Sequence, residues 1–300
     1  MSLLVTGSIG IDTVETPSGK RENVIGGSSV YFSYAASFFA PVRFVGAVGD
    51  DCPPELLNVF EGRPVDASGL EIRKGSKTFR WNGSYVKDLN EAVTVRVDLN
   101  VLAERAPAIP PAFLDSEFVF LANTHPALQQ EVIAKLTAPK LVVADTMNLW
   151  ITNEKPEVCK LLEKLDGLVL NDTEVRMLTG KRNLVEAAGD VLKMGPKFVV
   201  IKKGEHGCLM RAGDECFVLP AYPADAVIDP TGAGDTFAGG MMGYIASKGT
   251  FSLPTLRTAI SYGTVLASYT ISGFSLDGLR NVTRQGIEQR WQQLKQAMLF

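Results

Sequence analysis

From Phe118 onward, short apolar segments alternate with segments of helical character, and this alternation limits the fold more than any other feature. The apolar segments carry few polar residues, which is typical of strands covered by helices on both faces. Strands and helices alternating at this spacing predict parallel βαβ units with right-handed crossovers. The predicted strands are 118–122, 141–144, 168–170 and 198–201, and the predicted helices are 127–136, 157–165, 173–178 and 184–194.

Regular segments also lie before and after this region. The run at 3–9 ends in glycines and predicts a first buried strand, since Met1–Asp12 lacks the basic stretch of a signal peptide. A helix at 28–40 and a strand at 42–48 follow it. The C-terminal third predicts a hairpin of 208–211 with 216–219 and helices at 235–247, 254–269 and 284–298.

Two β-prone segments, 78–85 and 92–97, interrupt the alternation, with the turn-prone Lys87–Asn90 between them. We expect a hairpin with one wetter face that closes as a lid over a cleft, and the polar segment 13–23 can add another strand. An edge hairpin of the main sheet is the alternative. We therefore expect one α/β domain over 1–300, with a mainly parallel sheet and lid strands inserted at about 13–25 and 76–98.

Composition narrows the class of function. The chain has 300 residues, 46% hydrophobic and 21% charged, and a formal net charge of -3. No global field draws such a chain to nucleic acid or to an anionic membrane, and no apolar run reaches membrane-spanning length. Its four cysteines form no C-x-x-C pair and it has two histidines. These features do not indicate a zinc site, and they favour a reduced, cytoplasmic setting.

The most informative segment is Asp229–Phe237, with the sequence DPTGAGDTF. Its glycines predict a tight turn that leads into an apolar helix. Backbone N–H groups at a helix start lack acceptors and carry the positive end of the helix dipole, so they favour an anion. Asp235 should ionise readily in that first turn. A carboxylate beside an anion site suits phosphoryl transfer, which needs charge neutralised and a hydroxyl proton accepted.

This segment resembles the C-terminal signature of the ribokinase-like, or pfkB, carbohydrate kinase family, and the resemblance covers nearly the whole chain. It implies a three-layer α/β sandwich with a small β lid, and ATP-dependent phosphorylation of a sugar hydroxyl. By this resemblance Asp235 is the catalytic base and Gly232-Ala233-Gly234 form the anion hole. Asp229 and Thr231 lie on the loop that binds a monovalent cation, such as K⁺, in many relatives.

Two further motifs resemble the family's nucleotide site. Asn171 and Glu174 follow the strand at 168–170 and match its N-x-x-E motif, which arranges Mg²⁺, water and ATP phosphate. The two side chains share one helical face, and Mg²⁺ keeps much of its water. An ordinary helix cap explains the same pair without any ligand.

The segment 202–207, KKGEHG, follows the strand at 198–201 and resembles the family's nucleotide loop. By that resemblance Gly204 and Gly207 let ATP approach, and Lys202 contacts its phosphate or ribose. A plain hairpin turn with solvated lysines is the alternative.

The acceptor site is expected near the N-terminus. In the family, an acidic residue like Asp12 binds acceptor hydroxyls, and a turn like Gly26-Gly27 admits the substrate. Carboxylates suit polyols because they accept hydrogen bonds from hydroxyl groups. Asn123 ends a strand and can reach the substrate, and Arg80 on the expected lid is a further candidate contact.

One position departs from the family pattern. Tyr31 stands near the place of an asparagine that usually contacts the sugar, so ribose and fructose are doubtful acceptors. An acceptor that stacks on an aromatic side chain is more consistent with a tyrosine there. Trp81 and Asn82, beside Arg80, are further candidate contacts; exposed decoration of a hairpin is the alternative for all three.

Other functional classes fit less well. The Walker A pattern is absent, and Gly7 and Gly10 supply only part of a dinucleotide fingerprint. The expected ligands are ATP with Mg²⁺ and a small sugar acceptor, and a nucleoside acceptor is the alternative. A catalytically silent binding protein on the same scaffold is the rival from another class, and a homodimer is left open. All the candidate residues follow strand ends or a helix start, which converge on one crevice in an open parallel sheet.

Overall fold

The computed structural model describes residues 2–299, so Met1 of the predicted N-terminal segment lies outside the described residues. Strands within this range form two separate sheets. In chain order the strands are β1 (Leu3–Thr6), β2 (Gly10–Thr16), β3 (Gly19–Gly26), β4 (Val42–Gly49), β5 (Val65–Arg73), β6 (Phe79–Ser84), β7 (Val93–Asp98), β8 (Phe118–Leu121), β9 (Leu141–Asp145), β10 (Gly167–Asn171), β11 (Phe198–Lys202), β12 (Cys208–Ala212) and β13 (Glu215–Leu219).

Helices connect most of the strands and follow the last of them. In chain order they are α1 (Ser28–Ala36), α2 (Pro54–Leu57), α3 (Pro126–Lys135), α4 (Asn148–Asn153), α5 (Lys155–Leu162), α6 (Asp172–Thr179), α7 (Leu184–Lys193), α8 (Ala233–Lys248), α9 (Leu253–Thr270), α10 (Asp277–Arg280) and α11 (Arg284–Gln296). Within residues 2–299, no helix combines the length and the apolar character that a membrane crossing requires.

The larger sheet has the strand order β13-β12-β11-β10-β9-β8-β1-β4-β5. Its strands from β11 to β5 pair in parallel, and the predicted hairpin β12–β13 adds two antiparallel strands at one edge. The strand order reverses around β1, which lies between β8 and β4. Ligand crevices of open α/β sheets lie at such a reversal, outside the carboxyl ends of the strands. The predicted mainly parallel α/β fold is confirmed.

Helices cover both faces of this sheet because alternate strand residues point to opposite sides. On one side Leu3 and Val5 of β1 belong to the core formed with α1, α8 and α9. On the other side Leu4 belongs to the core formed with helices α3 to α7. The strands are therefore apolar on both faces, which is why the sequence predicted them well.

The smaller sheet has the order β3-β2-β6-β7. Strands β6 and β7 form the hairpin predicted between 78 and 97, and they belong to this separate sheet rather than to the edge of the main one. The polar segment 13–23 contributes to two strands, β2 and β3, where the sequence predicted one. Strand β2 lies between β3 and β6 and pairs in parallel with β6.

Strand β5 had no counterpart in the sequence prediction. Its sequence, VDASGLEIR, mixes polar residues with an interior glycine, as suits an edge strand with a register shift opposite β4. The short helices α2, α4 and α10 also had no counterpart in the sequence prediction, and other differences are at element ends. The predicted strand at 3–9 ends at Thr6, and the predicted helix at 28–40 ends at Ala36.

Glycines let helices α1 and α8 pack closely. A Cβ at Gly239 would overlap the backbone carbonyl oxygen of Phe32, and one at Gly243 would lie 2.7 Å from that of Ala36. Backbone atoms cannot move aside as a flexible side chain can. This packing fixes the N-terminus of α8, and therefore Asp235, relative to the main sheet.

We predict that Gly239→Ala lowers the free energy of unfolding by about 1–3 kcal/mol, the usual cost of overpacking a core. Gly286→Ala is the matched control, because a Cβ there would lie 3.3 Å from its nearest neighbour. That control should be neutral or stabilising by up to about 1 kcal/mol. Urea denaturation of both variants tests this, and equal stability of the two would contradict the packing argument.

Candidate active site

The turn before α8 has the geometry of an anion site. Gly232 is the N-cap with a left-handed φ of 75°, and the helix begins at Ala233. The Ala233 N–H donates to the Pro230 carbonyl at 3.1 Å, so this predicted anion-hole donor already has an acceptor. Gly234 and Asp235 follow in the first turn, where N–H groups have no acceptor within the helix.

Lys202, at the end of β11, adds a cation to this turn. A Cβ at Gly234 would lie 2.5 Å from the Lys202 Nζ. The ammonium group therefore rests against the first turn of α8, at the positive end of the helix dipole. Two independent sources of positive potential meet at the place where the sequence predicted a phosphoryl group.

Three carboxyl groups surround Lys202. Burial raises the pKa of Asp235, which keeps only part of its surface exposed, and Lys202 opposes that rise. Burial also raises the pKa of Asp145 well above its usual range, with Asp235 adding to the effect. Burial raises the pKa of Glu174, again against the influence of Lys202. The Asp145 Oδ1 is buried and has no hydrogen-bond partner, which indicates a group that a ligand would satisfy.

Asn171 and Glu174 form a reciprocal cap at the start of α6. The Asn171 Oδ1 accepts from the Glu174 N–H at 2.7 Å, and the Glu174 Oε2 accepts from the Asn171 N–H at 2.7 Å. The helix-cap alternative is therefore real, but it uses only one carboxylate oxygen of Glu174. Within residues 2–299 no three acidic, histidine or cysteine side chains group as direct metal ligands. The residues present fit Mg²⁺ held through water and phosphate, the arrangement typical of this ion at nucleotides.

Asp12 lies in the small sheet and faces the same region. Its side chain is 4% exposed, and its Oδ1 has no hydrogen-bond partner. Burial, reinforced by Asp229 and Asp235, raises the pKa of Asp12 to about 8. A Cβ at Gly26 would overlap the Asp12 carboxylate, so this glycine leaves room for the acid. The structure thus brings Asp12 into the electrostatic field of Asp235.

Gly27 allows two backbone segments beside the cleft to pack closely. Its φ is 102°, and a Cβ would lie 2.5 Å from the Ser8 carbonyl oxygen. Ser8 and Ser28 hold the same junction, with the Ser28 N–H donating to the Ser8 Oγ at 2.9 Å. Gly27 therefore lets α1 begin directly against the segment that joins β1 to β2.

Tyr31 does not line the cleft as the sequence suggested. Its side chain is 1% exposed, and a Cβ at Gly232 would lie 2.5 Å from its ring. The tyrosine packs beneath the anion-binding turn and supports it. The expectation that the acceptor stacks on Tyr31 is wrong, because almost none of the ring is accessible.

Arg80 is also directed elsewhere. Residues at i and i+2 of a strand share a face, and neighbours alternate. Since Trp81 pairs with Asp12 across the strands and Arg80 pairs with Ile11, Arg80 lies on the face opposite Asp12. Its guanidinium forms an ion pair with Asp51 at 3.0 Å. The structure brings Trp81, rather than Arg80 or Asn82, to the face that carries Asp12.

Asn123 follows β8, and its side-chain amide contacts two neighbouring side chains. Its Oδ1 accepts from the Trp150 Nε1 at 2.8 Å, and its Nδ2 lies 3.0 Å from the Met147 Sδ. The residue is partly exposed. It therefore anchors the segment after β9, which begins at Thr146, to the end of β8.

The loop after β11 meets the small sheet. A Cβ at Gly204 would overlap the Asn90 side chain, and the Glu205 N–H donates to the Asn90 Oδ1 at 3.3 Å. A Cβ at Gly207 would overlap the Leu219 carbonyl oxygen. Protein contacts therefore occupy the space beside both glycines. The turn between β6 and β7 touches the predicted nucleotide loop directly.

Asp229 and Thr231 form a compact polar turn ahead of α8. The Thr231 N–H donates to the Asp229 Oδ1 at 2.8 Å. Burial raises the pKa of Asp229, while the Thr231 Oγ1 is buried without a partner. This unpartnered oxygen beside a carboxylate is compatible with the cation-binding role that the family resemblance implies.

Sequence reasoning gave no role to Tyr85. This residue follows β6, and its backbone N–H donates to the Glu15 carbonyl at 2.8 Å. Burial raises the pKa of Tyr85, and Asp229, Asp12 and Asp235 contribute. The sequence could have indicated this role, because Phe79, Trp81 and Gly83 are alternate residues of β6 and share one face. Tyr85 continues the same alternation directly after the strand. Asp145 directly follows the strand predicted at 141–144, and its burial near Asp235 depends on tertiary structure.

We predict that Asp12→Asn makes the free energy of unfolding less dependent on pH. In the unfolded chain Asp12 ionises near pH 4, whereas the folded protein holds the proton up to about pH 8. The folded state binds more protons across this window, so stability falls as the pH rises from about 4 to about 8. The asparagine variant should therefore gain stability relative to the wild type between pH 5 and pH 9.

Thermal unfolding at both pH values tests this prediction. Asp214→Asn, at an exposed hairpin turn, is the control and should follow the wild type. If the stability difference between Asp12→Asn and the wild type is the same at pH 5 and pH 9, the proposed protonation of Asp12 is wrong.

Comparison with known proteins identifies the family. The profile described as pfkB family carbohydrate kinase matches residues 7–278. A cytidine kinase of Thermococcus kodakarensis is 30% identical over 248 residues, covering 81% of this chain and 87% of that protein. A ribokinase of Arabidopsis thaliana is 25% identical over 254 residues, covering 74% of this chain and 62% of that protein.

Solved structures share the fold. A nucleoside kinase of Burkholderia thailandensis, in a complex described as ADP-inosine, superposes with a TM-score of 0.78 at 18% identity, covering 97% of this chain and 95% of that one. A ribokinase of Thermotoga maritima superposes with a TM-score of 0.76 at 20% identity, covering 97% and 99%. The fold is therefore ribokinase-like, as predicted, and the chain belongs to the pfkB family of carbohydrate kinases.

Proposed function

We propose that this protein is an ATP-dependent kinase that transfers the γ-phosphoryl group of ATP to a hydroxyl of a sugar or nucleoside. One observation carries the proposal: Asp235 occupies the same helix turn against which the Lys202 ammonium rests. A proton acceptor and an anion site thus lie within one turn of α8. Phosphoryl transfer requires these two groups to act on atoms that are bonded to each other in the transition state.

In this proposal the acceptor hydroxyl lies between Asp235 and the γ-phosphorus. Its oxygen forms the new O–P bond as the bond from that phosphorus to the β-phosphate oxygen breaks, and ADP leaves. The hydroxyl proton passes to the Asp235 carboxylate. The Lys202 ammonium and the N–H groups of Gly234 and Asp235 stabilise the negative charge on the transferred group.

Asp235 must be ionised to accept this proton, although burial raises its pKa. Lys202 opposes that rise, and the dipole of α8 favours the charged form in the first turn. A raised pKa also suits a general base, because a stronger base accepts the proton more readily once it is ionised.

Mg²⁺ would be held by Glu174 and Asn171 through water, with Asp145 as a further oxygen donor near Lys202. When bound, the ion neutralises charge on the β- and γ-phosphates. Glu174 is already oriented by the cap at the start of α6, so its remaining carboxylate oxygen is presented at a fixed angle. Asp229 and Thr231 are the corresponding candidates for a monovalent cation such as K⁺, whose charge would add to the positive potential of the turn before α8.

Features of the site favour this enzyme over a catalytically silent binding protein. A binding protein gains nothing from a desolvated carboxylate such as Asp235, since burial of an uncompensated acid costs stability. Asp145 carries the same cost with an unpartnered Oδ1. Buried carboxyl groups without a partner are typical of catalytic sites, because the substrates and the reaction bring cations and protons to them.

We predict that Asp235→Asn lowers kcat by roughly 10²–10⁴-fold, the usual contribution of a positioned proton acceptor. ATP should still bind, because the N–H groups and Lys202 are unchanged. Steady-state kinetics and nucleotide titration of the variant test this, with Asp214→Asn as the exposed control. Near-normal turnover by Asp235→Asn would remove this residue from the mechanism.

We also predict that Gly234→Ala lowers kcat by about 10-fold or more while the fold is retained. The added Cβ would displace the Lys202 ammonium and crowd the anion site, and loss of one preorganised donor is costly in the transition state. Alanine within α8 should keep or raise the melting temperature, since it favours helix over glycine. A variant with unchanged kcat would show that Lys202 does not act at this turn.

A further inference from the structure

The face of the small sheet that carries Asp12 is lined with aromatic side chains from β6. Cross-strand pairing places Phe79 opposite Gly10, Trp81 opposite Asp12, and Gly83 opposite Val14. Because paired residues point to the same side, Phe79 and Trp81 share the face of Asp12. This face looks toward the transfer site, since Thr16, four residues after Asp12 on the same face of β2, donates through its Oγ1 to the Ile228 carbonyl at 2.8 Å, directly before Asp229.

Trp81 is held as a flat platform on this face. A Cβ at Gly83 would overlap three atoms of the six-membered ring of the indole, so the ring covers the glycine and lies along the sheet. The Trp81 Nε1 donates to the Thr94 Oγ1 at 3.2 Å, which fixes the ring in its plane. The indole is half-buried and turns its other side away from Gly83.

The charged side chains of β6 and β7 favour an uncharged ligand. The basic side chains of β6 and β7 are Arg80 and Arg96, and the register places both on the opposite face. Each forms an ion pair there, Arg80 with Asp51 and Arg96 with Asp98. A phosphorylated acceptor would therefore meet the carboxyl groups near Asp12 without a cation from these two strands.

The spacing of the strands sets the size of the ligand. Neighbouring strands lie about 4.8 Å apart, so β2, β6 and β7 together span roughly 10 Å. A molecule that contacts Asp12 on β2 and covers the indole as far as Thr94 on β7 must be larger than one sugar ring. It needs hydroxyl groups at the Asp12 end and a planar surface at the Trp81 end.

We propose that Trp81 determines acceptor specificity by stacking on the base of a nucleoside whose sugar hydroxyls bind Asp12. This inference rests on the proposed kinase function and names the acceptor class for the same site. The base lies flat against the indole, with the Thr94 Oγ1 beside the platform and the Tyr85 ring centroid 6.4 Å from that of Trp81. A sugar without a base would bind Asp12 alone and leave the platform uncovered.

The test measures phosphorylation of cytidine, adenosine, inosine, ribose and ribose 5-phosphate by the wild type, Trp81→Ala, Trp81→Phe and Asn82→Ala. Trp81→Ala should raise the nucleoside KM by about 10- to 100-fold, the usual effect of removing a base-stacking aromatic, with kcat changed only a few-fold. Trp81→Phe should recover most of the loss, and ribose should lose much less. Asn82→Ala is the control on the same strand but the opposite face.

A second readout does not require turnover. Nucleoside titration of the wild type should quench tryptophan fluorescence, and the quench should be absent in Trp81→Phe, which keeps Trp150 and Trp291. An unchanged nucleoside KM in Trp81→Ala, or a quench that survives in Trp81→Phe, would overturn the stacking role.

The two proposals fail in different ways. If the wild type phosphorylates ribose or ribose 5-phosphate as well as it phosphorylates every nucleoside, the acceptor class is wrong and the kinase function stands. If no acceptor supports ATP consumption, both are wrong.

Discussion

The carboxyl groups of the cleft are taken out of water without enough positive charge to balance them, and the rest of the site depends on this imbalance. Asp12, Asp145 and Asp235 all have pKa values raised by burial, and the Lys202 ammonium is the cation that opposes the rise at Asp145 and Asp235. Isolated buried charges of this kind are costly. Protonation relieves part of this cost, as at Asp12, and in the proposed function a metal ion with the nucleotide and hydroxyl groups of the acceptor supply the rest. The fold therefore provides a site that is completed by its substrates.

The two sheets cooperate in building this site. The main sheet supplies Lys202 and Asp145 at strand ends, and α8 supplies Asp235, while the small sheet supplies Asp12. Asn90, in the turn between β6 and β7, contacts the loop that begins at Gly204. The element proposed to hold the acceptor is thus in contact with the element proposed to hold ATP. Such a contact offers a physical route by which one ligand favours the arrangement needed by the other.

The main sheet and the phosphoryl-transfer turn could be predicted from sequence because both have strong local signals. Buried parallel strands are continuously apolar, and the turn of Gly232 with Asp235 is a single short segment. The acceptor side could not be predicted as well, because it depends on strand register. A shift of one residue exchanges the faces of β6, so Arg80 and Trp81 were equivalent candidates until their pairing with Ile11 and Asp12 was known. Tyr31 failed for a related reason: its burial beneath Gly232 comes from the packing of α1 against α8.

The most direct test of this account is a crystal structure with a non-hydrolysable ATP analogue, Mg²⁺ and a phosphorylatable acceptor. We expect the γ-phosphate to contact the turn at Gly234 and the Lys202 ammonium. We also expect the acceptor hydroxyl to lie about 2.6–3.2 Å from an Asp235 carboxylate oxygen, the range for proton transfer. A γ-phosphate bound away from the α8 turn, or an acceptor hydroxyl directed to another base, would contradict the roles proposed for Lys202 and Asp235.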